Sequence, residues 1–361
     1  MMDNKQIRDY SLDGPCGQQA AARGLVSAQW FACTVDRKTM KQLMQRDDWQ
    51  ALKYLGSWLA LLIGSGVLAF HAWGTPWALP AFLLYGLLYA AGEHGSHELS
   101  HGTPFRTGWL NTFFFQLTSF LALHETVFWR WSHARHHTDT IIVGNDREIA
   151  FPRPLKLAGL LADFFFLKSG SIELARTVRH ACGSVSSATR SFVPASEIGR
   201  MIRSSQVHTL IFAATIAACV YSGSILPALF VVLPRFYGSP LTQIFNITQH
   251  GGLAEDVLDH RLNTRTVIFN PLFAFLYMKM NYHVEHHMFP MVPFYNLPKL
   301  HALIRDQCPP ANPGLLHAYR EIIPALWRQR TDPDYSIPRQ LPTQPASHNV
   351  AANLEAVRSY A

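Results

Sequence analysis

The chain has 361 residues, 48% of them hydrophobic and only 15% charged, with 31 Lys and Arg against 24 Asp and Glu for a net charge of +7. Soluble domains carry about 25% charged residues, so the composition points away from an ordinary soluble enzyme and towards a membrane protein with a sizeable water-facing part. The basic residues stand outside two charge-free stretches, 54–92 and 207–234; that distribution suits spans with basic loops on one side, and it excludes a nucleic-acid-binding face.

Residues 1–50 are polar and mixed in charge, with no secretory leader, and read as a cytosolic N-terminal arm whose Trp30 and Phe31 touch the membrane surface. The stretch 54–92 is too long for one crossing of about 20 residues. It breaks at HAWGTPW, where Gly74 and Pro76 mark a turn, which predicts spans over 54–72 and 77–95. The segment 108–129 is apolar but carries Asn111, Gln116, His124 and Glu125, and histidine clusters stand on both sides of it. If both clusters serve one site, this segment returns to the side it left and is an interfacial or re-entrant helix. Residues 138–205 are basic and polar, with a short apolar run at 157–167 that suits an amphipathic surface helix.

A second apolar hairpin breaks at YSGS, 221–224, and predicts spans over 206–221 and 224–240. A later apolar stretch, 266–280, is too short to cross and is interrupted by Asn270 and Pro271. The end of the chain after about residue 330 is rich in Pro, Gln, Ser and Ala and reads as disordered. Five scattered cysteines, Cys16, Cys33, Cys182, Cys219 and Cys308, suggest neither a disulfide framework nor a zinc ribbon, but free thiols in a reducing cytosol. The expected organisation is an arm at 1–50, a membrane domain at 51–310 and a partly disordered cytosolic tail at 311–361. The fold class is all-α and integral to the membrane: four transmembrane helices in two hairpins, under a cytosolic helical cap. Both termini and every histidine cluster fall on the cytosolic side of the cytoplasmic (inner) membrane.

The chain holds 18 histidines, and eight fall in three tight groups: HELSH at 97–101, HARHH at 133–137 and HVEHH at 283–287. A ninth, His250, ends NITQH just after the last predicted crossing. On a helix, residues i and i+4 share a face with Cβ atoms about 5–6 Å apart. His97/His101, His133/His137 and His283/His287 are such pairs, while His136 and His286 add a third ring on the flank. Neutral imidazole suits iron, zinc, copper and nickel. Nine rings exceed what one ion uses and suit two. The Glu and Glu-x-x-His pattern of soluble di-iron bundles is absent, so a di-iron centre here would be of a histidine-only type. His94 and Asn246 are placed just outside the ligands: His94 in structural support, Asn246 one turn before His250 and able to hold a metal-bound water. Glu98, Asp139 and Glu285 are candidates to accept the second ring N–H of a ligand.

These motifs resemble the membrane fatty-acid desaturase superfamily. HELSH, WSHARHH and NYHVEHHMFP follow two-span hairpins, PMVPFYNLPKLH continues the third box, and Asn246/His250 matches an additional ligand position. The resemblance covers about residues 50–310. It implies a four-helix membrane stem with a cytosolic cap, two non-haem irons, O2 consumption and electrons from a ferredoxin or cytochrome. It further implies His97, His101, His133, His136, His137, His250, His283, His286 and His287 as ligands, with no catalytic residue beyond them. HELSHGTPFRT, QHGGLAEDVLDHRLNTRT and the third box are most similar to the dihydrorhizobitoxine desaturase-like branch, whose substrate is a small amino-acid ether rather than an acyl chain. Departures are the missing His-Pro-Gly-Gly signature of a fused cytochrome b5, His283 where many front-end desaturases have Gln, and HxxxH rather than the HxxxxH of acyl-CoA desaturases. The expected chemistry is insertion of a C=C bond into either an amino-acid ether or a membrane-lipid acyl chain. A hydroxylase or ketolase on the same scaffold and a non-catalytic metal carrier are the competing readings. For a polar substrate, Glu125, Arg130, Arg135, Asp139, Glu255, Asp256 and Arg261 are the nearby charged candidates.

Overall fold

The computed structural model describes residues 8–12 and 14–342. Among these the chain is helical, with two isolated backbone bridges, Thr266–Tyr282 and Val267–Asn312, and no strand. In chain order the helices are α1 (Pro15–Ala22), α2 (Arg37–Leu43), α3 (Asp48–Ala72), α4 (Ala78–Ala90), α5 (Gly92–Ser100), α6 (Gly108–Leu121), α7 (Thr126–Thr138), α8 (Leu157–Phe164), α9 (Leu167–Ala181) and α10 (Ser187–Arg190). They continue as α11 (Ala195–Ser222), α12 (Leu226–Val231), α13 (Pro234–Tyr237), α14 (Ser239–His250), α15 (His260–Asn263), α16 (Pro271–Leu276), α17 (His283–Met288), α18 (Leu297–Ile304) and α19 (Leu315–Arg328).

Two helices, α3 and α11, are long and apolar enough to cross a membrane. The Asp47 carboxylate caps α3 by accepting from the Trp49 and Gln50 amides. One stripe of α3 is buried, through Leu55, Trp58, Leu62 and Ala69, while Leu61, Ile63, Val67 and Phe70 stay exposed. A helix that is apolar on its exposed face as well suits lipid rather than water. It ends at a turn with Gly74 at φ +81°; α11 ends at Gly223, also left-handed.

The expected second and fourth spans are built differently from the first and third. The second is α4, which bends at Ala91 into α5 and carries the chain on to the first histidine box. The fourth is not one helix. Pro227, Pro234 and Pro240 each lack the amide a continuous helix would need, and the segment divides into α12, α13 and α14. Freed carbonyls at the break are taken up by phenols: Tyr237 donates to Leu229 O at 2.9 Å, Tyr85 to Phe230 O at 2.9 Å, and Tyr89 to Val231 O. The packing of α4 on α13 is close. A Cβ at Gly238 would lie 1.8 Å from Gly86 O.

The segment expected as one interfacial helix at 108–129 is two elements. Helix α6 stops at Leu121, Leu123 turns through φ +59°, and the Glu125 carboxylate caps α7 through the Val127 and Phe128 amides. At 14 residues, α6 is about 21 Å long, short of the roughly 30 Å hydrocarbon core. Trp30 and Phe31 each meet a ring or cation of the body on one side, and Phe31 stays exposed. Trp30 stacks on His260 at 4.2 Å and Phe31 lies 3.5 Å under the Arg261 guanidinium. Residues 331–342, polar in composition, are tied to the body: Ile337 N donates to Gly252 O at 2.8 Å, and Arg339 pairs with Glu321. The rest of the tail, 343–361, lies outside the described residues.

Candidate metal centre

The histidines come from the later parts of α5, α7 and α14 and from the short α17, which His283 opens. His97 lies in α5 and His101 caps it; His133, His136 and His137 lie in the later turns of α7; His250 is the last residue of α14; His283, His286 and His287 make up half of α17. A helix C-terminus carries about half a negative charge, so several such ends favour a cation between them. All nine rings converge. They divide into a group of His97, His101, His133, His137 and His286, and a group of His136, His250, His283 and His287, with donor atoms in each group within 4.8 Å of one another. The groups abut: the His137 and His287 rings stack at 4.3 Å.

The tautomers follow from the outer partners. His133 Nδ1 donates to Glu148 Oε2 at 3.0 Å, His136 Nδ1 to Asp146 Oδ2 at 2.8 Å, and His250 Nδ1 to Asn263 O at 2.8 Å. His286 Nδ1 faces Glu98 Oε1 at 3.1 Å. The Thr140 hydroxyl gives its proton to His136 O, so its oxygen accepts from His287 Nδ1 at 3.2 Å. With Nδ1 protonated in His133, His136, His250 and His287, their Nε2 presents a lone pair. Yet Nε2 faces Nε2 at 3.1 Å for His133/His137, His137/His286, His250/His283 and His283/His287, and at 2.9 Å for His97/His286. Each of these contacts includes His97, His137 or His283, whose Nδ1 no outer partner among the described residues fixes, so the nitrogens meet either through a ring-to-ring hydrogen bond or, in the form that ligates, as two lone pairs turned to one ion. Two neighbouring ligands at about 2.1 Å from one ion stand about 3.0 Å apart at right angles. Buried His101 Nε2 has no hydrogen-bond partner among the described residues. The donor set therefore fits metal ions.

Burial holds these rings neutral, the form that ligates. It pushes His101, His250 and His286 to about 3, and together with neighbouring imidazoles it holds His97, His133, His137, His283 and His287 well below the ordinary value. His136 differs. Burial works against its charge, but Asp146 outweighs burial and raises it, which makes this ring the most basic of the set. Burial also raises Glu148 to about 7 and Glu98 to about 8.

Of the carboxylates expected from sequence to support the rings, Glu98 alone meets one of the nine. Asp139 accepts from Ser27 N at 2.8 Å and pairs with Arg135; Glu285 bonds Thr266 and His301. The pair that does the job, Asp146 and Glu148, comes from the loop after α7. Its only sequence mark is a D-x-E following the box. His94 is outside both groups: Nδ1 meets Leu276 O at 3.0 Å, and the ring stands edge-on to Tyr277. Asn246 donates to Glu93 Oε1 at 3.2 Å, and buried Arg235 holds Glu93 Oε2 at 2.6 Å.

A cavity of about 900 Å³ touches both groups through His97, His136 and His250. Its polar lining includes Glu93, Gln243, Asn246, Gln249 and Arg147; its apolar lining includes Phe151, Leu155, Leu160 and Phe166; exposed Lys156 and Lys168 stand at its mouth. Of the charged residues that sequence suggested for a polar substrate, only Glu255 lines it, already paired with Arg8 and Arg153. Glu125 is a helix cap, Arg130 lies over Phe115, Arg135 pairs with Asp139, Asp256 accepts from Val143 N, and Arg261 pairs with Asp259. Glu93 was legible one turn before His97 but was passed over. Residues 75–319 match the family model described as fatty acid desaturase. No curated protein matches the chain.

Proposed function

The chain belongs to the fatty acid desaturase family, an O2-dependent oxidoreductase family, and on that premise we propose that it is a membrane di-iron desaturase. One iron would sit in each histidine group, held by His97, His101, His133, His137 and His286, and by His136, His250, His283 and His287. The observation that carries this reading is the division of nine imidazoles into two abutting groups with ring nitrogens converging at 2.9–3.1 Å. Iron bound there supplies O2 activation and removal of two hydrogens from adjacent carbons. The overall balance is R–CH2–CH2–R′ + O2 + 2e⁻ + 2H⁺ → R–CH=CH–R′ + 2H2O, with the electrons delivered by a ferredoxin or cytochrome-type donor. The protein fixes ring tautomers through Asp146, Glu148, Asn263 and Thr140, and it places the substrate in a cavity open to both groups.

The chain should bind two irons, and replacing any one of His97, His133, His137, His283 or His287 by Ala should abolish turnover. Iron analysis and product mass test this. A product lighter by two hydrogens supports a desaturase, a product heavier by one oxygen replaces it with a hydroxylase, and full activity in two of the five variants removes the assignment.

For substrate we propose a small molecule with polar groups, the amino-acid ether dihydrorhizobitoxine being the candidate. Support comes from the Glu93–Asn246 pair one turn before His97 and His250, with Gln243, Gln249 and Arg147 in the same lining. Phe151, Leu155, Leu160 and Phe166 favour a second reading, an acyl chain. Expression in a host lacking the enzyme separates them. New unsaturated fatty acids without conversion of added dihydrorhizobitoxine would establish the acyl reading. The centre would face the cytosol from the cytoplasmic membrane.

A further inference from the structure

Helix α19 is docked on one side and bare on the other. Ala318, Ile322 and Leu326 are buried with Ile247 of α14, Leu155 and Val267, while Ala325 packs on Leu253 and Ile337. Its rotation is fixed by Tyr319, which donates to Ile244 O at 2.7 Å, and by Glu321, which pairs with Arg265 and Arg339. On the opposite side Leu316, Ile323 and Trp327 are 79%, 61% and 61% exposed. Their spacing of seven and then four residues puts them in one stripe. Exposed Arg320 stands in the middle of that stripe, and Arg330 lies over the Trp327 ring at 4.3 Å.

The stripe continues into a neighbouring surface. Ile268 N donates to Asn312 O at 2.8 Å, which joins the segment before α16 to the segment leading into α19. Ile268 and Leu272 are exposed beside it. Helix α16 in turn packs on α3, where Tyr54 donates to Ala274 O at 3.4 Å and its ring lies tilted against Phe275 at 4.8 Å. The exposed apolar residues of α19 thus neighbour those before and in α16, and α16 packs on the first turns of α3, a helix itself apolar enough to cross a membrane.

We propose that α16 and α19 form a lipid-docking face, with α19 lying in the plane of the bilayer interface. Leu316, Ile323 and Trp327 sit at the boundary of headgroups and acyl chains, and Arg320 and Arg330 meet anionic headgroups. An amphipathic helix with apolar residues, a Trp and flanking Arg has the composition of an interfacial helix. A symmetric contact with a second copy is disfavoured, because Arg320 would approach its own equivalent. Since α19 packs on α14, which carries Asn246 and His250, docking also sets the depth of the cavity relative to the bilayer.

The test uses full-length protein in vesicles of phosphatidylcholine and phosphatidylglycerol, in a background with Cys16, Cys182 and Cys219 replaced by Ser, with a nitroxide at Ile323→Cys in one sample and a reference label at Leu210→Cys in α11 in another. Both labels should collide severalfold more with O2 than with a water-soluble nickel chelate. The proposal is overturned if nickel dominates at position 323, or if the label is shielded from both and shows spin–spin broadening from a second copy. Unlabelled protein gives an independent readout. Brominated acyl chains should quench wild type more than Trp327→Phe, and equal quenching would overturn the proposal.

Discussion

Asp139 and Asp146 both follow the second histidine box, and sequence gives no means of ranking them. Geometry does. Asp146 takes the His136 Nδ1 proton at 2.8 Å and is itself held by the Ile141 and Glu148 amides, whereas Asp139 ties the Ser27 amide to Arg135. Removing a carboxylate that orients a ligand ring costs about 10–100-fold in metal affinity or activity. Asp146→Asn should therefore lower iron loading at limiting iron by about that factor, while Asp139→Asn should leave loading near wild type. Iron-to-protein ratios measured by elemental analysis on both variants decide the matter; equal losses would show that both carboxylates act only through loop folding. The converging histidines were legible because helical spacing repeats in the sequence itself. Asp146 and Glu148 were not, because a loop reaches them by folding back, and no periodicity records a return path.

Helix breaks teach the same lesson one level up. Hydropathy marked two apolar stretches as hairpins, yet it reports apolarity and not continuity, and among the described residues only α3 and α11 are apolar helices long enough to cross. The fourth expected span is cut at Pro227 and Pro234 and held by phenols on the facing helix, Tyr85 and Tyr89 of α4. Those contacts require α4 and α13 to approach to backbone distance, and Gly86 and Gly238 permit it. A Cβ on Gly238 would lie 1.8 Å from Gly86 O, and backbone cannot move aside as a flexible side chain can. Overpacking typically costs about 1–3 kcal/mol and occasionally more, so Gly238→Ala should lower the thermal midpoint of the purified protein clearly. Gly64 of α3 offers the contrast. Nothing lies within 4 Å of a Cβ there, and Ala in a helix is favoured over Gly by about 1 kcal/mol, so Gly64→Ala should be neutral or stabilising. A melt in which both variants behave alike would mean that the α4–α13 contact does not govern stability.

Across the whole molecule, convergence of the histidines constrains how the chain threads a membrane. The Asp48 carboxylate at the start of α3 accepts from the Thr107 amide at 2.9 Å and from its hydroxyl at 2.7 Å, just after the first box. If α3 crosses, α4 and α5 must therefore cross back. At the start of α11, Val193 and Met201 pack with Val127 and Phe128 of α7, and His250 at the end of α14 joins the rings of α7 and α17. If α11 crosses, α12 to α14 must return as well. Each long helix also carries its turn away from the centre: 25 residues in α3 and 28 in α11 reach about 37 and 42 Å, enough for a core of about 30 Å. Exposed Trp77 and Tyr221 sit at those far turns, where interfacial aromatics belong. In a cysteine-free background, Gly74→Cys and Ser222→Cys should then react from outside intact cells with a membrane-impermeant maleimide, while Ser191→Cys, on the histidine side, reacts only after permeabilisation. Labelling of position 191 from outside together with protection of 74 and 222 would invert the orientation. Labelling of 74, 191 and 222 all from the same side would mean that neither α3 nor α11 crosses, and the centre would then belong to a protein lying on the membrane rather than through it.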